Sequence, residues 1–147
     1  MNAQSPLTAV SAIPRGNVQP LLNEVAHALE RLVIADESTI IDLARLPFSP
    51  GELERLEGEL GEGELRATLD SLGESIIRET AYPGVWWLEH RNAAGEVVGR
   101  FIEITRTPEI LKSQTVDIDA GRDVIKQRLQ RLREADSAGG NHGETEQ

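Results

Sequence analysis

Residues 64–105 read ELRATLDSLGESIIRETAYPGVWWLEHRNAAGEVVGRFIEIT, and this stretch decides the fold. Leu65, Ala67 and Leu69 alternate with Glu64, Arg66, Thr68 and Asp70, a period of two that describes a strand with one buried and one wet face. A second strand is expected from about residue 75 to 81. Tyr82-Pro83-Gly84 then spells a turn, with proline presetting φ and glycine accepting the positive φ of a type II geometry. The third strand is Val85–Arg91. Asn92-Ala93-Ala94-Gly95 makes a short hairpin loop, and the fourth strand runs from residue 96 to about 105. Connections this short force antiparallel neighbours, so the four segments form a meander.

Upstream of the sheet, Leu21, Leu22, Val25, Ala28, Leu29, Leu32 and Val33 recur on one face of a 3.6-residue period. They predict a helix capped by Asn17, tolerant of Pro20 in its first turn, and ending near Asp36. TIIDLARL at 39–46 mixes β-branched residues with alternation and stops at Pro47, which reads as a short strand. Ser49-Pro50-Gly51-Glu52 opens a second helix: Ser49 caps it, Pro50 takes the first helical position and Glu52 returns the capping-box bond. Its apolar stripe is Leu53, Leu56 and Leu60, and Gly61 is a natural terminator. A last helix over about 119–135 carries Val124, Ile125, Leu129 and Leu132 on one face.

The expected fold is therefore α+β, an antiparallel meander sheet of four to five strands with helices packed on one face. The other face is left for solvent or a partner. Residues 1–16, with Pro6, Pro14 and Gly16, read as a flexible arm. Residues 17–135 read as a single domain, and DSAGGNHGETEQ at 136–147 as a disordered tail.

At 147 residues the chain is the size of one domain and carries no cysteine, which removes disulfides, thiolate metal sites and cysteine nucleophiles together. No window reaches the ~18 uninterrupted apolar residues of a membrane span, so no membrane insertion is expected. The opening MNAQSPLTAVSAIPRG lacks the pattern of a secretory signal, and the expected location is cytoplasmic. A formal net charge of −10 argues against nucleic acid and favours basic partner segments. The charge is uneven: Glu52, Glu54, Glu57, Glu59, Glu62 and Glu64 face only Arg55 between residues 49 and 64. By contrast, Arg122, Lys126, Arg128, Arg131 and Arg133 face only Asp123 between 122 and 133.

Few of these residues form a pattern that carries chemistry. Gly61-Glu62-Gly63 follows a helix and precedes a strand, the reverse of a phosphate loop, and its carboxylates would repel phosphate. His27, His90 and His142 share no metal-ligand spacing, and no serine sits in a nucleophile elbow. Glu79, Glu89 and Glu103 could supply a carboxylate pair for a hydrolase or lyase, which would require a pocket around them. Neither metal nor cofactor is expected. Trp86 and Trp87 point to opposite faces. Trp86, accompanied by Leu88, is assigned to the core. Trp87 is assigned to the open face as a binding anchor, unless a loop, a terminal helix or a second copy covers it.

LGEGEL at 60–65, Glu79-Thr80, Pro83-Gly84-Val85-Trp86, Ile102-Glu103-Ile104 and Pro108-Glu109-Ile110-Leu111 resemble the conserved C-terminal region of the HupH/HyaF/HoxQ proteins. Ile41-Asp42-Leu43 with Leu46-Pro47 fits the same pattern, and the resemblance covers residues 19–111. These are accessory proteins for maturation of nickel–iron uptake hydrogenases, typically about twice as long as this chain. The resemblance implies a chaperone without catalysis, acting on the hydrogenase small-subunit precursor or on other maturation factors. The expected protein-binding residues are Glu62, Glu64, Trp87 and Glu89, with the acidic turn suited to a basic segment such as a twin-arginine signal. A self-associating scaffold, a homodimer joined through open sheet faces, is the remaining alternative.

Overall fold

The computed structural model describes residues 16–140. In chain order its elements are α1 (Val18–Ala35), β1 (Thr39–Asp42), a 3₁₀ turn at Leu43–Arg45, and α2 (Glu52–Leu60). These are followed by β2 (Arg66–Asp70), β3 (Glu74–Glu79), β4 (Val85–Arg91), β5 (Val97–Ile104), a 3₁₀ turn at Glu109–Leu111 and α3 (Thr115–Gly139). The five strands form one open antiparallel sheet in the order β1-β5-β4-β3-β2, a meander with β1 added beside β5. Two compact units divide the chain, one reaching Pro108 and one beginning at Glu109. The expected arm and tail fall largely outside the described residues, at 1–15 and 141–147. Residues 136–139 are the last turn of α3.

The turns follow their local chemistry. Gly84 has φ +88° and the Val85 N–H donates to the Tyr82 carbonyl at 3.0 Å, closing the Pro-Gly turn as type II. At the β4–β5 hairpin Asn92 Oδ1 accepts from the N–H groups of Ala94 and Glu96, both at 3.0 Å, an Asx-type turn ended by a bulge near Arg91. At the other end of the sheet β1 is shorter than expected. The Asp42 carboxylate accepts from the Ala44 N–H and turns residues 43–45 into a 3₁₀ turn instead of strand. Asn17 does not cap α1 with its side chain; its amide instead donates to the Pro47 carbonyl at 3.2 Å, tying the helix start to the loop before α2. Glu52 does reach back to the Ser49 N–H, at 2.9 Å, although the helix itself begins only at Glu52.

α1 and α2 lie over one face of the sheet. Val18, Leu21, Val25, Ala28 and Leu32 of α1 and Leu56 and Leu60 of α2 close on Ile41, Val85, Trp87, Ile102 and Ile104. The register explains the sheet's contribution, since Trp87 stands between Arg78 and Ile102, and Val85 opposite Ile104. This corrects the assignment of the tryptophans. Trp87 is 1% exposed and sits in the helix-covered core, not on an open face. Trp86 projects from the other face, where its indole N–H donates to the Thr105 carbonyl at 3.1 Å.

That second face is not bare at its centre either: Ile77, Trp86, Leu88 and Glu103 are all buried. Val85-Trp86-Trp87-Leu88 is apolar at both parities, the pattern of a strand buried on two sides, so alternation could not choose the core face. Exposed apolar side chains occur instead at the margins, with Ile40 on β1 and Leu65 and Leu69 at the β2 edge. Leu65 and Leu69 are therefore not the buried face expected of β2, because an edge strand is flanked on one side only. The apolar face expected of the last helix exists but is unburied: every described residue of α3 is exposed.

Candidate protein-binding surface

Arg78 organises the region beneath the LGEGEL loop. It follows Ile76 and Ile77 on β3 and is only 7% exposed, and its burial requires partners for the guanidinium. One nitrogen donates to the Gly61 carbonyl at 3.1 Å and another to the Glu57 carboxylate at 2.7 Å. The same guanidinium lies 5.3 Å from the Trp87 ring centroid, over its negative π face. One side chain thus connects the C-terminus of α2, the loop after it and the core tryptophan.

The loop itself is stitched to the end of β3 by backbone bonds. Gly63 N–H donates to Glu79 O at 2.8 Å, Glu79 N–H to Leu65 O at 2.9 Å, and Ala81 N–H to Leu60 O at 2.9 Å. Residues 63–65 therefore continue the β2–β3 pairing beyond the regular strands. The approach at Gly63 is close: a Cβ there would stand 2.5 Å from the Thr80 carbonyl oxygen and 3.1 Å from that of Glu79. Glycine is required by this contact, not by binding of phosphate. Gly63→Ala is expected to cost about 1–3 kcal/mol through forced backbone displacement. A urea midpoint equal to the parent's would show that the loop yields freely and does not hold its carboxylates in place.

What this scaffold presents is a depression of about 530 Å³ bordered by Glu62, Glu64, Glu79, Thr80 and Pro83. Its lining contains three carboxylates and no cation, so the concave surface has a single sign of charge. Tyr82, half exposed in the adjoining turn, offers an aromatic ring beside it. Thr80 is buried, and its hydroxyl both accepts from the Tyr82 N–H at 3.2 Å and donates to the Tyr82 carbonyl at 3.3 Å, which fixes the turn.

Of the four residues read from the sequence as protein-binding, the structure brings two together here, Glu62 and Glu64, and adds Glu79. Trp87 lies in the core beneath Arg78 and offers no surface. Glu89 is elsewhere on β4, half-buried and paired with Arg91 at 2.8 Å and Arg100 at 3.8 Å, so its charge is already answered. The carboxylate-pair alternative finds no shared cleft. Glu79 and Glu103 flank Trp86 on one face, Glu89 faces the other, and the depression that takes Glu79 includes neither of the others. Among the described residues no group of three or more His, Asp or Glu is placed to hold a metal ion. Arg78 was missed as a site-building residue. Its signal was a cation directly after Ile76-Ile77 in a strand, where a buried position holds a charge only if it is fully partnered.

Comparison with known proteins identifies the family of the whole domain. Residues 16–132 match the family described as "HupH hydrogenase expression protein, C-terminal conserved region". The hydrogenase expression/formation protein HoxQ of Azotobacter vinelandii is 31% identical over 121 residues, which is 81% of this chain and 41% of that one. The corresponding HupH of Rhodobacter capsulatus is 27% identical over 100 residues, 68% of this chain and 36% of its own. This chain thus spans well under half of the length of these relatives. The solved hydrogenase expression protein HupH from Thiobacillus denitrificans superposes with a TM-score of 0.76 at 46% identity, covering 79% of this chain and 97% of that one. The chain belongs to the HupH hydrogenase expression protein family, through the conserved C-terminal region of that family.

Proposed function

We propose that this domain serves hydrogenase maturation as a non-catalytic accessory protein that holds a hydrogenase subunit precursor. The small-subunit precursor is the first candidate and another maturation factor the second. The observation that carries the reading is the acid-only depression of Glu62, Glu64 and Glu79, held open by a loop bonded along the end of β3. Relatives named for hydrogenase expression and formation supply the process. A single-sign concavity beside an exposed tyrosine suits a basic, extended segment, and the twin-arginine signal of a small-subunit precursor has that chemistry. The encounter precedes export, which puts it in the cytoplasm.

Co-purification with the small-subunit precursor at low and moderate salt tests this. The double variant Glu62→Lys/Glu64→Lys is expected to weaken capture about tenfold, and salt to weaken the parent in the same direction. Capture that ignores both the charge reversal and the salt would remove the acidic depression as the binding surface. Failure of the parent to capture any hydrogenase precursor would remove the role itself.

A further inference from the structure

α3 is a 25-residue helix whose described residues are all exposed, yet it carries an apolar stripe. Ile118, Ile125, Leu129 and Leu132 share one face and are 45–60% exposed. Gly121 lies on the same face between the isoleucines. A helix of this kind gains most of its stability from packing that stripe against something. The family match extends to residue 132, the last position of the stripe.

The charges on α3 identify the occupant. Asp117 and Asp119 lie at its start, with Arg122 held locally by Asp119 and Asp123 at 2.8 and 3.6 Å. Lys126, Arg128, Arg131 and Arg133 lie in its second half, with Glu134 and Asp136 beyond them in the last turns. A second copy of the same helix laid parallel would set acids against acids and arginines against arginines. Laid antiparallel, with Ile125 facing its own counterpart, the two sequences fit. Ile118 then falls opposite Leu132, and Leu129 opposite Gly121, which leaves room for it. On the two flanks Asp117 comes alongside Arg131 and Asp119 alongside Arg133, while Arg122, whose charge Asp119 and Asp123 answer within its own helix, comes alongside Lys126. Each of these contacts occurs twice across the two-fold axis, except that of Ile125 with its counterpart, which lies on the axis. We propose that the protein is a homodimer joined by antiparallel pairing of α3 through the Ile118–Ile125–Leu129–Leu132 stripe. This does not depend on the client reading, and it replaces the open sheet faces expected from sequence as the self-association surface.

Light scattering of the full chain over a concentration series is expected to give a mass twice 16.1 kDa. Ile125→Glu puts two like charges at the two-fold axis and should weaken the dimer at least ~100-fold, since it also removes both buried isoleucines. Asp117→Arg/Asp119→Arg should also dissociate it. Adding Arg131→Asp/Arg133→Asp in the same chain should restore it, which a merely damaged helix would not show. The chain has no cysteine, so introduced thiols report direction: Asp117→Cys mixed with Arg131→Cys should oxidise to the crossed heterodimer. A monomer at every concentration would overturn the proposal, as would a dimer indifferent to Ile125→Glu or a 117–117 crosslink.

Discussion

Trp87→Ala lowers stability by about 3–5 kcal/mol, as large-to-small changes of a fully buried aromatic do. The indole stands between Ile102 on β5 and Arg78 on β3, with Val85 beside it on β4, so its loss opens a cavity where three strands meet the helices. Its ring N–H is buried without a hydrogen-bond partner. No hydrogen bond is therefore lost on substitution, and the cost comes from volume and from the π face beneath Arg78. It follows that Trp87→Phe, which keeps an aromatic face and drops the unpartnered donor, should cost much less, about 1–2 kcal/mol. Urea unfolding followed by Trp86 fluorescence measures both, with an unchanged m-value confirming that the midpoint reports stability. A Trp87→Ala protein that unfolds at the parent's midpoint but no longer captures precursor would make the indole a contact residue and refute its place in the core.

The contrast between the two tryptophans shows where reading the sequence stopped. Features set by neighbours a few residues away were legible: the type II turn at Tyr82–Val85, the Asn92 hairpin loop, the extent of β4 and the buried face of α1, except for Val33, which is 77% exposed. Which side of β4 meets the helices was not, because Val85 with Trp87 and Trp86 with Leu88 make equally apolar faces. Position against β5 settles it, through Ile102 and Ile104, and that pairing is a tertiary fact. The acidic turn was legible as charge, but its union with Glu79 depends on the loop running back along β3. In α3 the period placed Ile125, Leu129 and Leu132 on one face, but it put Val124 with them, about 100° away, and missed Ile118 because the helix begins at Thr115 and not near 119. Amphipathicity says which face a helix would bury and not what covers it.

Arg78→Ala is the second large effect, expected at about 3 kcal/mol, and its origin differs from that of Trp87. Two charge-assisted hydrogen bonds disappear, to the Gly61 carbonyl and to Glu57, along with the cation–π contact and the packing of the aliphatic stem. The Glu57 side chain is 46% exposed, so once released it is solvated by water and adds little penalty of its own. That keeps the estimate below the full cost of orphaning a buried ion. Arg78→Lys should recover only part of the loss, because a single ammonium cannot reproduce a planar fork spanning a carbonyl and a carboxylate. Arg78→Met restores stem volume without charge and separates packing from hydrogen bonding. The functional consequence follows from the connection to Gly61: with that anchor gone, the loop keeps only its backbone bonds to β3. Amide exchange at Gly63 and Ala81 should then accelerate more than at the centre of β4, and precursor capture should fall although Arg78 itself is buried. Equal acceleration at all of these amides would mean that Arg78 supports the whole sheet and has no special hold on the acidic surface.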